Sequence, residues 1–344
     1  MLLSVLDQAP TRRGGAPGHA FRDALALAEH ADRLGFHRFW VAEHHALGSV
    51  AISAPEVLIG QVGTRTERIR IGAGGMLLPN HRPIHVAEQF RCLEALHPGR
   101  VDLGVGRSEG ALDPATVAAF ARPDDNAHGA GFEDQIDELL AFGGVRALPA
   151  DHPLASVRAA PTDVPLPPVF LLGSSVSSAA TAARKGLGYG FAAHTNTQDA
   201  ATALLRYRET FVPARPGDRP HAILALKVMV GVDDEHARAL SAPSHLNHVQ
   251  ARLGSRHPLV PVDEALAHAY SDAEREVEAR HVDTRADVAG GPEAVRAGIE
   301  AAVAASQADE VIAITNTYDP VERRASFARL AGVFDLPAAA ALSV

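Results

Sequence analysis

The sequence has very little cysteine: Cys92 is the only one among 344 residues. A single cysteine excludes a disulfide framework within the chain and any metal centre built from several thiolates. Cys92 lies in an amphipathic segment, where an isolated cysteine commonly behaves as a small hydrophobic residue. We therefore expect it to be buried.

Long apolar runs and an excess of positive charge are also missing. No stretch approaches the roughly 20 apolar residues that a membrane-spanning helix needs, and the formal net charge is −9. This balance argues against a general nucleic-acid or anionic-membrane surface. The first residues, MLLSVLD, lack the basic segment and the cleavage site of a signal peptide. We therefore expect a cytoplasmic protein that binds neither nucleic acid nor membrane.

What is present is an alternation of short apolar runs with longer amphipathic ones. Hydrophobic residues make up 47% and charged residues 21% of the chain, a composition that is ordinary for a globular protein with a large core. Several short runs are continuously apolar, as expected of strands that are buried on both faces. The eight predicted strands span residues 2–6, 38–42, 69–73, 101–105, 169–172, 189–193, 223–230 and 311–315.

Amphipathic helices between these runs complete repeated strand–helix–strand units, which form right-handed parallel crossovers. Eight such units predict a (β/α)₈ TIM barrel, with residues 1–344 as one domain. An open doubly wound sheet is the alternative. Residues 241–289, between the seventh and eighth predicted strands, exceed a simple connection. We interpret them as a lid-type insertion, with a solvated appendage as the alternative.

The site of a TIM barrel lies at the carboxyl ends of its strands. Glu43, His44 and His45 follow the second predicted strand. A histidine that faces the barrel mouth suits general acid or base catalysis near neutral pH, whereas a histidine bonded to a neighbouring loop is the structural alternative. Consecutive residues of an extended chain point to opposite sides, so these three do not form a metal site.

Small residues follow the third predicted strand. They allow a flat ligand to approach the backbone closely, or they form a tight turn without a ligand. These candidates for cofactor binding are Ala73, Gly74, Gly75 and Met76.

Residue types that bind phosphate follow the next two predicted strands. The planar guanidinium of Arg107 can hold a phosphate through two hydrogen bonds. Ser174, Ser177 and Ser178 open a helix whose first amides favour an anion, although serines also cap helices without any ligand. His194 ends the sixth predicted strand and should face the barrel mouth. No set of metal ligands occurs at the strand ends, which disfavours a metal-dependent hydrolase.

The sequence resembles the bacterial luciferase-like flavin-dependent monooxygenase family. The resemblance is carried by RLGFHRFWVAEHH, APEVLIGQVGTRTERIRIGAGGMLLPNHRPIHVAEQFRCLEALHPGRVDLGVGR and LLGSSVSSAATAARKGLGYGFAAH. It covers residues 1–110 and 165–235, and more weakly 287–335.

The resemblance implies a cofactor, partners and residue roles. The cofactor is reduced FMN, supplied by a separate flavin reductase and used with oxygen on a small organic substrate. A homodimer is expected through helices near residues 53–66 and 83–96. His44 is the expected catalytic residue, near the reactive flavin edge. The expected cofactor-binding residues are Glu43, Ala73, Gly74, Gly75, Met76, Arg107, Ser174, Ser177, Ser178 and His194.

One departure and two other functions remain open. Glu109 places an acid close to the expected phosphate, where similar proteins have a different sequence. Members of the same superfamily use the deazaflavin F420 for hydride transfer, so an F420-dependent oxidoreductase is one alternative. A non-catalytic flavin-binding protein is the other.

Overall fold

The chain folds as a closed barrel of parallel strands surrounded by helices, in a computed structural model that describes residues 1–108, 110, 113–120, 131–196, 198–281 and 287–338. The strands are β1 (Leu2–Asp7), β2 (Arg38–Val41), β3 (Arg70–Leu77), β4 (Val101–Gly106), β5 (Val169–Gly173), β6 (Gly188–Phe191), β7 (Ala222–Val230), β8 (Asp287–Gly290) and β9 (Glu310–Ile314). Strands β1 to β7 pair in order, β9 joins β7 to β1, and the pairing of β6 with β7 completes the ring. The predicted TIM barrel is confirmed and the open sheet is excluded.

Helices connect the strands on the outside of the barrel. They are α1 (His19–Leu34), α2 (Pro55–Arg65), α3 (Pro83–Leu96), α4 (Pro114–Phe120), α5 (Phe132–Phe142), α6 (Val176–Lys185), α7 (Ala200–Glu209), α8 (Asp234–Arg252), α9 (Val262–Ala267), α10 (Asp272–His281), α11 (Pro292–Ser306) and α12 (Pro320–Val333). Helices α1 and α6 end at Gly35 and Gly186, which adopt the left-handed conformation that ends a helix. Within the described residues, no helix is long and apolar enough to cross a membrane.

All eight predicted strands are present, as β1 to β7 and β9, but β8 was missed. It pairs in parallel with residues Lys227–Val230 of β7, whereas β9 pairs with the preceding part of that strand. Strand β7 is nine residues long and extends beyond its pairing with β9, which stops at Lys227. Strand β8 therefore satisfies backbone groups of β7 that would otherwise form an open edge.

The lower part of the barrel interior holds a buried ionic network. The guanidinium of Arg38 donates to Asp102 and to Glu310, each across 2.7 Å, and both carboxylates are fully buried. Arg70 also pairs with Asp102 across 2.6 Å. Because every charge in this layer has a partner, Asp102 belongs to the barrel wall and not to the site at the strand ends.

An apolar layer covers the ionic network. Trp40 and Phe170 pack edge to face with ring centroids 5.2 Å apart, and the guanidinium of Arg38 lies 5.0 Å from the Phe170 ring centre. The rest of this interior cluster is apolar: Leu6, Ala42, Ile223, Ala225, Ile312 and Ile314. This layer separates the ionic network from the carboxyl end of the barrel.

The main core lies between the strands and the outer helices, and it corrects one prediction. Cys92 is exposed on α3 rather than buried, whereas Phe90 and Leu93 on the same helix are buried. Phe90 and Leu93 lie on the core side of α3, and Cys92 lies on the solvent side. The segment is an amphipathic helix, as its sequence indicated, but Cys92 lies on the exposed side of that helix and not on the buried side.

The predicted insertion 241–289 contains most of α8, all of α9 and α10, and most of β8. It is attached to the loop that follows β1: the Leu259 amide donates to Thr11, and the Arg13 amide donates to Leu259. Arg13 and Glu264 also form an ion pair. The insertion therefore lies over the carboxyl end of the barrel, and its role as a lid remains a prediction.

Candidate active site

One large cavity opens at the carboxyl ends of the barrel strands. Its volume is about 800 Å³, within the roughly 300–1,000 Å³ that small-molecule sites occupy. Apolar side chains from six strands line it together with the polar groups described below: Leu6, Trp40, Leu171, Leu172, Phe191, Ile223, Ala225 and Ile312. Such a lining suits a flat, mostly apolar ring system.

Strand β3 presents backbone to this cavity at Gly74 and Gly75. Its register against β4 shifts between Ala73 and Met76, which inserts one extra residue as a β-bulge. The peptide bond between the two glycines is cis, and both glycines line the cavity. Ala73 and Met76 do not: their side chains are fully buried in the core beneath the helices. Ala73 faces the helices by ordinary alternation along the strand, and the bulge turns Met76 to the same side; their assignment to cofactor binding stays a prediction.

Side chains would not fit at the two glycines. A Cβ atom on Gly75 would lie 2.8 Å from the carbonyl oxygen of Gly104, and one on Gly74 would lie 2.8 Å from the Leu6 side chain. Separations below 3.0 Å require something to move, and the carbonyl of Gly104 is fixed in the sheet. Glycine is therefore favoured here by the packing of the barrel itself, and both glycines present only backbone to the cavity.

The opposite wall is the start of α6. Ser175 is the N-cap, and its hydroxyl accepts a hydrogen bond from the Ser178 amide. Ser174, Ser177 and Ser178 also line the cavity, as predicted. The first amides of a helix have no partner within the helix and carry partial positive charge, so this wall can hold an anion.

Tyr189 of β6 fixes the position of Ser178. The Tyr189 Oη atom lies 2.8 Å from Ser178 Oγ and 3.1 Å from the carbonyl oxygen of Ser175. Burial raises the pKa of the Tyr189 phenol to about 12, so it stays neutral. Sequence reasoning missed Tyr189 because it faces the helix from a buried strand.

Arg107 lies beside this serine cluster. The register pairs Gly106 of β4 with Leu172 of β5, so the residue after Gly106 neighbours the turn that leads into α6. Arg107 is exposed and lines the cavity. The structure thus brings together the guanidinium and the serines that the sequence predicted as a phosphate site. Glu109 lies outside the described residues.

Glu43 borders the cavity, but its carboxylate is already occupied. Its Oε1 atom lies 2.7 Å from Nε2 of His45 and 2.8 Å from Nε2 of His81. Its Oε2 atom accepts a 2.7 Å hydrogen bond from the Leu77 amide. These bonds lower the pKa of Glu43 although burial opposes the shift. Glu43 therefore fixes the loops after β2 and β3, and its role in cofactor binding stays a prediction.

His44 and His194 line the cavity from opposite sides of the barrel, after β2 and β6. Each has a buried Nδ1 atom without a hydrogen-bond partner. Burial is the main cause that lowers the pKa of His44 to about 4, and Arg256 lowers it further. Burial followed by Lys227 lowers the pKa of His194 to about 3. Both imidazoles are therefore neutral at neutral pH, and each keeps one buried ring nitrogen without a partner in the chain.

A second cavity adjoins the first beneath the insertion. Its volume is about 640 Å³. Alternate residues of one strand line the two cavities, with Ala225 in the first and Lys227 in the second. Between them, the Asn316 side chain donates a 2.8 Å hydrogen bond to Gln8. Gln8 follows β1 and Asn316 follows β9, so the two residues are far apart in the sequence. The sequence therefore did not indicate that they meet.

The described residues contain no group of three or more histidine, cysteine or acidic side chains that could hold a metal ion.

Comparison with known proteins identifies the family. The model of the luciferase-like monooxygenase family matches residues 1–310. The Bacillus subtilis protein YvbT is 36% identical over 97% of this chain and 96% of its own length. A luciferase-like monooxygenase of Escherichia coli is 33% identical over 94% of both chains. A third relative, the N-acetyl-S-alkylcysteine monooxygenase of Bacillus subtilis, is 39% identical over 57% of this chain and 58% of its own.

Solved structures agree with the fold. Apo-MsnO8 has a TM-score of 0.87 at 35% identity, covering 98% of both chains. The oxygenating constituent of 3,6-diketocamphane monooxygenase from Pseudomonas putida, solved with FMN, has a TM-score of 0.68 at 18% identity over 96% of both chains. A coenzyme F420-dependent reductase from Methanopyrus kandleri has a TM-score of 0.63 at 16% identity over 94% of this chain and 96% of its own. At these lower identities the likeness concerns the fold alone. The chain belongs to the luciferase-like monooxygenase family.

Proposed function

We propose that this protein is an FMN-dependent monooxygenase that takes reduced FMN from a separate reductase and oxygenates a small organic substrate. The observation that carries the proposal is the convergence in one cavity of Gly74 and Gly75, the Arg107–serine wall and two neutral histidines. A flavin mononucleotide has a planar ring system and a phosphate, and the cavity has complementary features for both.

The residues fit FMN at both ends. Arg107, Ser177 and the first amides of α6 would hold the phosphate, because a guanidinium and a helix N-terminus both favour a dianion. Gly74 and Gly75 would lie against the ring system, since they bring only backbone to the cavity. When bound, reduced FMN supplies the electrons that activate molecular oxygen.

His44 is the proposed catalytic residue. Because its pKa is lowered to about 4, the imidazole reaches the reaction in its neutral form and can accept a proton or a hydrogen bond at the buried Nδ1 atom. His194 presents a second neutral nitrogen from the other side of the barrel. The apolar lining and the overlying insertion would keep water away from the reacting atoms.

We also propose a homodimer through α2 and α3. Val57 on α2 and Leu96 on α3 are 63% and 70% exposed, and the two helices contact each other. Exposed apolar side chains on adjacent helices are suited to a subunit interface. Analytical ultracentrifugation of the wild type and of Val57→Lys tests this, because a charge at the interface should shift a dimer towards monomer.

The function is tested by oxygen incorporation. The protein is supplied with FMN, NADH, a flavin reductase and ¹⁸O₂, and products from a panel of small substrates are analysed by mass spectrometry. N-acetyl-S-alkylcysteines enter the panel first, because the name of one relative specifies them. We expect one ¹⁸O atom in the product at a rate above that of free reduced flavin. Oxidation at the free-flavin rate across the panel, or turnover with reduced F420 and without oxygen, contradicts the proposal.

A further inference from the structure

The second cavity lies directly beyond the first along two strands of the barrel. On β7, Ala225 lines the first cavity and Lys227 lines the second. On β9, Ile312 lines the first and Ile314 lines the second. Alternate residues of a strand face the same side and lie about 7 Å apart along it. The two cavities are therefore consecutive spaces in one barrel mouth, and a ligand that is long enough can occupy both.

The junction between the two cavities is suited to an apolar chain. Ile314 belongs to the same buried apolar cluster as Ile312 and Ala225. The polar groups at the junction are the side-chain amides of Gln8 and Asn316, which are joined by a 2.8 Å hydrogen bond. An apolar chain that lies beside this pair leaves its hydrogen bond intact, whereas a charged group there would lose its water without gaining a counter-charge.

One wall of the second cavity is a face of helix α8. Asp234, Arg238, Ser241 and His245 line the cavity, and their spacing of four, three and four residues places them on one side of the helix. His245 lies 2.8 Å from Glu278 and is engaged by it. This face therefore presents an acid and a cation one helical turn apart.

Asp234 and Arg238 are opposite charges that do not pair with each other. Both are exposed, and four residues correspond to about 6 Å along the helix axis. No described residue forms an ion pair with Arg238. Asp234 accepts a 2.7 Å hydrogen bond from the Gly291 amide, which fixes its carboxylate without neutralising it. Lys227 and Asp287, the other acid and base across the cavity, pair with each other at 3.9 Å. The α8 face thus complements a ligand that carries both charges.

We propose that the second cavity binds the head group of a zwitterionic amino acid, whose apolar side chain extends past Gln8 and Asn316 into the first cavity. Arg238 pairs with the carboxylate, and Asp234 pairs with the ammonium group. The inference rests on the proposed function only in calling this ligand the organic substrate. It assigns the substrate to α-amino acids with a long apolar side chain.

Two native side chains report separately on the two cavities. Met229 lines the second cavity and is one of three methionines, and Trp40 lines the first and is the single tryptophan. Flavin-free protein with ¹³C-methyl methionine is titrated with α-amino acids that have straight side chains, from alanine through norleucine to α-aminodecanoate. We expect the short probes to shift the Met229 signal alone and the long ones to shift Met229 and the Trp40 indole. Affinity should rise by up to about fourfold for each added methylene.

The charge requirement is tested by removing one charge of the probe at a time. Decanoate lacks the ammonium group of α-aminodecanoate, and the amide of α-aminodecanoate lacks its carboxylate. We expect the zwitterion to bind about tenfold more tightly than either, as one charge-assisted contact provides. Arg238→Gln should weaken the zwitterion to the level of its amide, and Asp234→Asn should weaken it to the level of decanoate. An asparagine keeps an oxygen for the Gly291 amide, so the turn should remain folded.

Two variants on the same helix are matched controls. Glu235→Gln lies beside Asp234 in the first turn of α8, and Arg252→Gln lies at the other end of that helix. Both residues are exposed and neither lines the cavity, so both variants should keep the full preference for the zwitterion. Circular dichroism verifies that every variant is folded.

Two results overturn the proposal. One is that the long probes shift the Trp40 signal and leave Met229 unchanged, or that no probe shifts Met229. The other is that the zwitterion binds no more tightly than decanoate or the amide, or that its advantage survives Arg238→Gln and Asp234→Asn. Because flavin is absent, a failure to incorporate ¹⁸O in the separate activity assay would contradict the proposed function and leave these binding results unaffected.

Discussion

The Oε1 atom of Glu43 lies 2.7 Å from Nε2 of His45, and the same oxygen lies 2.8 Å from Nε2 of His81. One buried carboxylate thereby joins the loop after β2, which carries His44, to the end of β3. The residues of the sequence motif Glu-His-His therefore have different roles: Glu43 and His45 hold the loop, and His44 lines the cavity with a buried Nδ1 atom that has no partner.

Replacing Glu43 with Gln should loosen this loop. An amide cannot accept the hydrogen bonds of both imidazoles and the Leu77 amide with the strength of a carboxylate, so we expect a loss of about 1–3 kcal/mol in the free energy of unfolding. Urea unfolding followed by circular dichroism measures it. Glu29→Gln, in a partly exposed ion pair with Arg65, is the control and should cost at most about 1 kcal/mol. Equal losses would show that Glu43 does not have this role.

His44→Gln should separate flavin binding from oxygenation. The imidazole is proposed to handle a proton and not to hold the cofactor, so FMN affinity should stay near that of the wild type. Product formation should fall by about 10²–10⁴-fold, the usual loss when a general acid or base is removed. Product yield and hydrogen peroxide are measured together, with His19→Gln at the exposed start of α1 as control. An unchanged product yield rejects the catalytic role.

Arg107→Gln should weaken FMN much more than riboflavin, because riboflavin lacks the phosphate. A lost charge-assisted contact corresponds to about 10- to 100-fold in the dissociation constant of FMN. Fluorescence titration with both flavins measures the ratio, and Arg22→Gln, exposed on α1, serves as control. Parallel weakening of FMN and riboflavin would remove the phosphate assignment.

Tyr189→Phe tests whether the position of Ser178 matters. Removing the hydroxyl deletes the contacts to Ser178 and to the Ser175 carbonyl while keeping the ring in the core. We expect FMN affinity to fall about threefold to tenfold with riboflavin affinity unchanged. Tyr207→Phe, which removes a buried hydroxyl bonded to Leu187 away from the cavity, should leave both affinities unchanged. A similar FMN loss in both variants would indicate a general packing defect.

The two cavity histidines should make the protein less stable in mild acid. The pKa of His194 is lowered from 6.5 to about 3 by burial, Lys227 and His44, and that of His44 is lowered to about 4 by burial, Arg256 and His45 against the opposing effect of Glu43. Between these values and 6.5 the unfolded chain binds protons that the folded chain does not, so stability falls as pH falls through this window.

The melting temperature measured from pH 7 to pH 5 tests this relationship. His194→Gln should reduce the loss of stability between pH 7 and pH 5 by about 2 kcal/mol, whereas His19→Gln should not change it. A slope that is unchanged in His194→Gln would mean that His194 titrates in the same way in the folded and unfolded chains.

The barrel strands were predictable because they are buried on both faces. Continuous apolar runs such as that of β7 are favourable only where both faces of the strand are buried. Eight repeated strand–helix–strand units favoured a closed barrel over an open sheet. Strand β8 was not predictable: it is four residues long and its first three residues remain at least partly exposed. It forms because β7 extends past β9, which is a property of the three-dimensional pairing.

The site was predictable for side chains that follow the end of a predicted strand, and less predictable elsewhere. The structure brings Arg107, Ser177, His44 and His194 to one cavity as predicted. The bulge at Gly74 and Gly75 reversed the direction of Met76, which simple alternation along a strand could not reveal.

The most direct test of the central claim is an anaerobic titration of the protein with reduced FMN and, separately, with reduced F420. The account predicts saturable binding of reduced FMN that Arg107→Gln weakens, followed on admission of oxygen by oxygenated product. Saturable binding of reduced F420 with no affinity for reduced FMN would contradict it.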